Sequence, residues 1–525
     1  ISGILSSEND IEIINPEINF SDILLSDDSI IGSYVINLNS EIELGEIELN
    51  LNLTADYTEN NQTLNYNNET QFSIDVTLNQ TTFPFYTSSQ VATSPLVLDL
   101  DQNGEYEIIF ADFTGKIFAL NAFGEEVFTN FFPFETGNQI WGSPAMADLN
   151  LDGYLDFTIG SKNKILYIFN QNGLVSQYDT GSQLIGTPSI GNLDSDSELE
   201  VVVGGYSSSG KKIFAINYDG TPVDGFPINV GEKIQRGVSL FDFDNNGIDD
   251  MVFGTDSNHI YLLYDSGEIA TGFPFEGDDK FRVAPIIINY NDTPIIIAAS
   301  KNGSLYAIDN SGNLIFQFSS DSAITTSPSV YFVNSEIYIL FGNINGEVYA
   351  VDLNGNLLNG FPLSFGSEII ASIMVSDLNQ DDNDELIIVD DSGNLNIIKH
   401  DLLNYSNSTI SYDFSFFSSP IITDVDLDGD LEILAGTVNS LFVADIKETS
   451  SENNSWNIFR GNYKRTGYLK YDNCQLGDLN DDSIINVLDI ISLINIIIGN
   501  IGANEFEICA GDFNGDSLLN IQDII

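Results

Sequence analysis

Basic residues are scarce in this chain: 16 Lys and Arg stand against 78 Asp and Glu, for a formal net charge of −62. Such a surface repels phosphate backbones and anionic bilayers, which excludes nucleic acid as a partner and electrostatic attachment to a membrane. No hydrophobic run is long enough to span a bilayer, and neither an initiator Met nor a signal peptide opens the sequence. The chain begins abruptly at Ile1 and stops at Ile525 directly after an acidic loop, so it reads as a fragment of a longer secreted precursor. Histidine is limited to His259 and His400, neither of them flanked by a Ser, Cys or carboxylate arrangement that suggests an activated nucleophile. No phosphate-cradling glycine loop follows a strand and opens a helix. Paired carboxylates for glycoside cleavage are a spatial feature that sequence does not exclude, yet nearly all the well-spaced acids are taken up by the loops described below. Cysteine is limited to Cys474 and Cys509, each just ahead of one of two matched acidic loops. Matched places in a duplicated unit favour a disulfide across the duplication over two free thiols.

What is present is ample for folding: 42% hydrophobic and 11% aromatic residues in 525, a length that suggests two to four domains. Residues 1–81 alternate apolar and polar side chains, as in Glu43 to Ala55 and Gln71 to Leu78. That period predicts antiparallel strands with one buried face, and an immunoglobulin-like sandwich that lacks part of its strands.

From residue 82 to 447 the chain repeats itself. The anchors are Ser94-Pro95, Ser143-Pro144, Thr187-Pro188, Gly237-Val238, Ala284-Pro285, Ser327-Pro328, Ser372-Ile373 and Ser419-Pro420, spaced by 43 to 50 residues. A Phe stands twelve residues before the second anchor residue in six copies: Phe83, Phe132, Phe226, Phe273, Phe316 and Phe361. Each unit reads as four short strands, the length and content of a β-propeller blade, so the fold class is mainly β with seven or eight four-stranded blades. The phase leaves one strand over at Phe83-Pro84-Phe85, which can complete the last blade and remove an open edge. Residues 456–467, Trp-Asn-Ile-Phe-Arg-Gly-Asn-Tyr-Lys-Arg-Thr-Gly, compete for that closing role, and the propeller domain is bounded at 82–470 to include them.

Between the first and second strands of six units lies an acidic loop. Oxygen-bearing side chains at positions one, three, five and nine, with a turn residue at six, form a cage for a hard cation, and calcium is the expected cofactor. The sets are Asp99, Asp101, Asn103 and Glu107; Asp148, Asn150, Asp152 and Asp156; Asn192, Asp194, Asp196 and Glu200; Asp242, Asp244, Asn246 and Asp250; Asp377, Asn379, Asp381 and Glu385; and Asp424, Asp426, Asp428 and Glu432. Ser197 and Asp382 replace the usual glycine in two of them. Repeats five and six lack the loop but keep their strands, so the loop is separable from the blade. With every coordinating place filled by protein, the ions read as staples and not as catalytic centres.

The repeats resemble the FG-GAP or VCBS type of propeller repeat, also found in integrin α heads, over roughly 365 residues; Ser143 to Asp156 carries the pattern. The segment 456–467 is similar to one that accompanies such propellers in secreted bacterial proteins, which implies a secreted or cell-surface bacterial protein. Propeller faces bind a glycan, a protein or nothing, and the fold does not choose among them.

After Gly477 the spacing changes to positions 1, 3, 5, 9 and 12: Asp478, Asn480, Asp482, Asn486 and Asp489, then Asp512, Asn514, Asp516, Asn520 and Asp523. An acidic twelfth position at the start of an apolar run from Val487 to Ile498 is calcium chemistry of the EF-hand type with only the exiting helix evident. The tandem resembles a dockerin, a small α-helical domain over 474–525 with its second helix cut short. The resemblance implies docking to a cohesin-like protein through Val487, Leu488, Ile521 and Gln522; these are not the small hydroxylated pairs of cellulosomal dockerins, which argues against a standard cellulosomal partner. A self-associating calcium module is the alternative. The functional expectation is a non-catalytic extracellular calcium-binding module for adhesion and docking. The alternative is the accessory tail of a secreted hydrolase, a peptidase or polysaccharide-degrading enzyme, with its catalytic domain upstream of Ile1.

Overall fold

The computed structural model describes residues 1–525 apart from 8–10, 21–31, 38–44, 60–61, 209, 292, 335, 382, 401–404, 451–454, 472–476, 478, 480–486, 499–509, 512–518 and 520–525. The chain divides into two compact units, Ile1–Asn79 and Gln80–Ile525. In the first, the long hairpin Gly45–Glu59 and Gln62–Val76 pairs through its first arm with Ser2–Ser7, which pairs in turn with Glu17–Asn19. A short ribbon of Glu12–Ile13 and Ile36–Asn37 lies beside it in sequence. The alternation of Gly45–Glu59 resolves as expected: Ile47 and Leu49 are buried with Leu5 and Val76.

Among its described residues the second unit contains eight antiparallel sheets of four strands each, one of them extended by a fifth. Blade one shows the plan: Leu96–Leu98, Glu107–Ala111, Lys116–Asn121 and Phe134–Glu135, joined in order. Its second strand is buried on both faces because each face meets a neighbouring blade. Leu96, Ile109 and Ile117 pack against Met146, Phe157 and Phe169 of blade two, while Val97, Phe110 and Phe118 pack against Ile421, Leu434 and Val443 of blade eight. That second cluster closes the ring. The strand that completes blade eight is Phe85–Tyr86, paired with Ser440–Thr449, where the phase of the repeat puts it.

Residues 456–467 do not close the ring, which corrects the expectation that gave them a share in that role. They run along its axis. The first strands of neighbouring blades contact one another there, and the segment hydrogen-bonds to them in turn. Val375 N and Ile422 N donate to Trp456 O and Asn457 O, and Met146 N, Ile190 N and Leu240 N donate to Tyr463 O, Lys464 O and Thr466 O. The reason is the axis itself: inner strands have no neighbour on that side, and a passing backbone satisfies their N–H groups. Two buried arginines complete the plug. Arg465 donates to Pro144 O, Phe459 O and Pro95 O, and Arg460 to Arg465 O and Val238 O. The chain leaves the axis as Tyr468–Tyr471, which pairs in parallel with the first strand of blade five, Ile286–Tyr290.

The described residues after 471 hold one helix, α1 (Val487–Ile497). Leu493 packs with Leu479 and Ala510 beneath it.

Candidate metal centres

The acidic loops are built from an apolar peg, a carboxylate above it and one below. Position two is a hydrophobic side chain, as in Leu100, Leu149, Leu193 and Val425, all buried. Anchoring it points its N–H at the position-nine carboxylate: Leu100 N donates to Glu107 (2.8 Å), Leu149 N to Asp156 (3.1 Å), Leu193 N to Glu200 (2.6 Å), Phe243 N to Asp250 (2.9 Å), Leu378 N to Glu385 (2.9 Å) and Val425 N to Glu432 (2.7 Å). The same bond recurs in all six loops. From the other side, the position-one carboxylate accepts the N–H groups of positions five and six, as Asp99 does from Asn103 and Gly104, and Asp424 from Asp428 and Gly429. The turn requires left-handed backbone at positions four and six: Gln102, Leu151, Asn245, Gln380 and Leu427 lie at φ 55–61°, and Gly104, Gly153, Gly247 and Gly429 at 87–95°.

This scaffold gathers carboxylates. Asp99, Asp101 and Glu107 bring one oxygen each within 4.8 Å of one another, as do Asp194, Asp196 and Glu200; Asp242, Asp244 and Asp250; and Asp424, Asp426 and Glu432. The position-five residues point elsewhere in part: Asn103 and Asn246 accept from Glu105 N and Ile248 N within their own turns. In loop two Asn150 donates to Asp152 (3.0 Å), and Asp148, Asp152 and Asp156 do not converge to the same degree among the described residues. Loop seven, with Asp377, Asn379, Asp381 and Glu385, likewise forms no such triad among the described residues.

Loop three departs from the scheme. Asn192 donates its amide to Gly247 O (2.7 Å) of the next blade, and its N–H goes to Asp249. An amide at position one offers a single acceptor oxygen where a carboxylate offers two, and Ser197 does not favour the turn that would supply the two N–H groups.

Electrostatics give these groups their chemistry. Every position-nine carboxylate is buried, and burial pushes Glu107, Asp156, Glu200, Asp250 and Glu385 up to about 7 and Glu432 up to about 9, with the backbone donor opposing. In loops one and eight, Asp101 Oδ1, Asp426 Oδ1 and Glu432 Oε1 are buried with no hydrogen-bond partner. Carboxylate oxygens left bare in a dry pocket fit a cation, and an all-oxygen donor set fits a hard one.

Blades five and six replace the loop by direct hairpins, Ile286–Tyr290 to Thr293–Ala299 and Ser329–Val333 to Glu336–Gly342. In the C-terminal region Asp489 is buried in the first turn of α1, while Val487 and Leu488 are exposed. Cys474, Asp478, Asn480, Asp482, Asn486, Cys509, Asp512, Asn514, Asp516, Asn520, Ile521, Gln522 and Asp523 lie outside the described residues.

Sequence spacing missed five groups. Gln80 donates its amide to Asp426 (2.5 Å) from 346 residues away. Asp430 and Asp445 join the carboxylates of loop eight, and Lys447 reaches both. His259 Nδ1 lies 2.8 Å from Glu232 Oε1, a partner that no adjacency in sequence announces.

Comparison with known proteins adds one family match. The family described as lambda-carrageenase beta-propeller domain matches residues 287–364, which cover blades five and six. No curated protein matches the chain. Similar solved structures include BamB from Moraxella catarrhalis (14% identity, 70% of this chain and 98% of that one, TM-score 0.46) and the V. cholerae biofilm matrix protein Bap1 (13% identity, 73% and 93%, TM-score 0.40). Among the described residues no helix is long and apolar enough to cross a membrane. The eight four-stranded sheets and the match over residues 287–364 together make this a mainly β chain that carries a β-propeller.

Proposed function

We propose that the chain is a secreted, calcium-stapled propeller that binds an extracellular ligand and docks through its C-terminal region. The observation that carries this reading is the six-fold recurrence of a buried position-nine carboxylate held by one backbone N–H, with bare carboxylate oxygens beside it in two loops. Calcium would sit among the carboxylates of each loop and supply the positive charge that the chain itself lacks. The repeats are read as the FG-GAP or VCBS type, residues 1–81 as an immunoglobulin-like sandwich, and 474–525 as a dockerin-like unit whose α1 presents Val487 and Leu488 to a cohesin-like partner.

Ligand recognition falls to the face opposite the acidic loops. There the loop entering each blade hydrogen-bonds to the turn between its second and third strands: Lys162 N to Gln139 O, Tyr206 N to Gln183 O, Asp256 N to Lys233 O, Lys301 N to Lys280 O. In blades two to five this ring bears basic side chains, scarce in a chain with 16 Lys and Arg, beside aromatic ones. The Lys162 ammonium lies 5.3 Å from the Trp141 ring centroid and that of Lys233 4.9 Å from Tyr206, and Arg236 is exposed beside Arg282. Cations, amides and rings repeating from blade to blade suit a repeating acidic glycan.

A second reading, an accessory part of a larger polysaccharide-degrading enzyme, is favoured by the description of the family matched over residues 287–364. Both readings predict that removing calcium with EGTA lowers the melting temperature by many degrees. An unchanged melt would overturn the calcium reading. Binding of acidic glycans lost in Trp141→Ala, with the calcium-dependent melt retained, would support the ligand face.

A further inference from the structure

The loop of blade eight carries more charge than its own pattern calls for. Beside Asp424, Asp426 and Glu432, a second group, Asp428, Asp430 and Glu432, also brings one oxygen each within 4.8 Å. Strand register then places Asp445 directly opposite Glu432. Like charges directly opposed on paired strands are destabilising, and these two are 5% and 0% exposed. In blade one the same register place holds Asn121, opposite Glu107. Following the register one pair further gives Asn170, Asn217, Tyr264 and Lys399 in blades two, three, four and seven. Among the loop-bearing blades, only blade eight sets a carboxylate there.

Among the described residues Lys447 is the one cation that forms ion pairs with this group. Its Nζ lies 2.5 Å from Asp445 Oδ2, 3.5 Å from Asp428 Oδ2 and 3.7 Å from Asp430 Oδ2. It stands in a bulge, in left-handed backbone at φ 47°, and its side chain is 60% exposed. One half-exposed ammonium does not satisfy the group. Asp430 Oδ1, Glu432 Oε1 and Asp445 Oδ1 are all buried without a hydrogen-bond partner. Asp430 and Glu432 stand on the second strand of the blade and Asp445 on the third, so the bare oxygens do not come from one turn, and each belongs to a side chain already held by its other oxygen or by packing.

We propose that blade eight binds a second hard divalent cation at the converging oxygens of Asp428, Asp430 and Glu432, with the facing Asp445 as a further ligand and Lys447 as a tethered counter-ion that the metal displaces. Glu432 bridges this ion and the one assigned to the common loop site, so the inference rests on the calcium reading of the loops. An oxygen-only donor set selects calcium or a similar hard ion over a soft one.

The test is calcium stoichiometry on the full chain by equilibrium dialysis, with terbium luminescence for affinity. Asp445→Asn, nearly isosteric, is expected to lose one bound equivalent while the remaining sites and the calcium-dependent melt persist. Lys447→Met is expected to tighten binding of one terbium ion by about two- to fivefold, the worth of a half-exposed ion pair. Unchanged stoichiometry in Asp445→Asn and an unchanged titration in Lys447→Met would overturn the second site and leave the common loops standing. A wild-type chain that binds no calcium would overturn both readings. If Asp445→Asn does not fold, the Lys447→Met titration decides alone.

Discussion

Replacing Arg465 by Met tests whether the axis of the propeller is held by a buried, unpaired charge. The side chain is 0% exposed and donates to three backbone carbonyls, at 3.0 Å to Pro144, 2.7 Å to Phe459 and 3.2 Å to Pro95. Hydrogen bonds from a charged donor contribute about 1.5–3 kcal/mol each, so the gross loss is about 5–9 kcal/mol. Against it stands the relief of burying a guanidinium that has no carboxylate among its hydrogen-bond partners, several kcal/mol in an interior site. Where a buried ion pair is exchanged for apolar side chains, both polar partners leave together. Here the three carbonyls stay behind and lose their donors, so the balance remains unfavourable by about 3 kcal/mol. Urea unfolding of the full chain reads this directly, because Trp456 is buried on the same segment and reports its release. At a slope of about 3 kcal/mol per M the midpoint should fall by about 1 M. A midpoint that stays in place or rises would mean that the carbonyls find water once the arginine is gone, and the axis is not the dry plug described above.

Two further outcomes follow from the loops and turns. The position-nine carboxylates have folded pKa values above their unfolded ones, so without metal their contribution to stability is full below about pH 4 and is lost as pH rises to about 7, or to about 9 for Glu432. Melting in EGTA should therefore weaken from pH 5 to 8, and calcium should abolish or reverse that slope; parallel slopes with and without calcium would refute it. Gly115, at φ 100°, has Asn138 O and Thr136 where a Cβ would sit, whereas Gly137, at φ 78°, faces open space. Gly115→Ala should cost about 3 kcal/mol or more and Gly137→Ala about 1 kcal/mol, measured as urea midpoints; equal losses would show that backbone strain alone decides.

The loops were legible because their turn fixes spacing: carboxylates at one, three and nine fall on one side of it whatever the blade around them does. Ring closure was legible from phase alone, since Phe83 to Phe85 precede the first repeat as Phe132 to Phe134 precede the second. The axial course of residues 456–467 was not, because their partners are backbone N–H and C=O groups, which leave no mark in sequence. Asp445 was hidden for a related reason: its meaning lies in standing opposite Glu432 across a strand pair, and the bulge between Asp430 and Glu432 breaks the count that sequence spacing would use. Asn192 shows the converse, a residue at a coordinating offset whose amide is committed to the next blade.

The absence of acidic loops from repeats five and six, unexplained by composition, has its cause in the path of the chain. The axial segment leaves the ring beside blade five, where Ile287 to Tyr290 pair in parallel with Tyr468 to Tyr471. The first strands of blades five and six are five residues long, against three in blade one, and run straight into their hairpins. Tyr471 stacks on Tyr290 at 5.4 Å and on Phe332 of blade six at 5.6 Å, so the exit strand covers the ends of both inner strands. An acidic loop in either blade would start where Tyr471 lies, and it would set carboxylates against three stacked rings. The strand takes the place of the loops in these two blades: it ties down the hairpin between first and second strands, by backbone pairing and ring stacking in blade five and by ring stacking alone in blade six. The six loops and the exit strand are thus alternative solutions to one mechanical problem, and the sequence breaks its own repeat where the second solution becomes available.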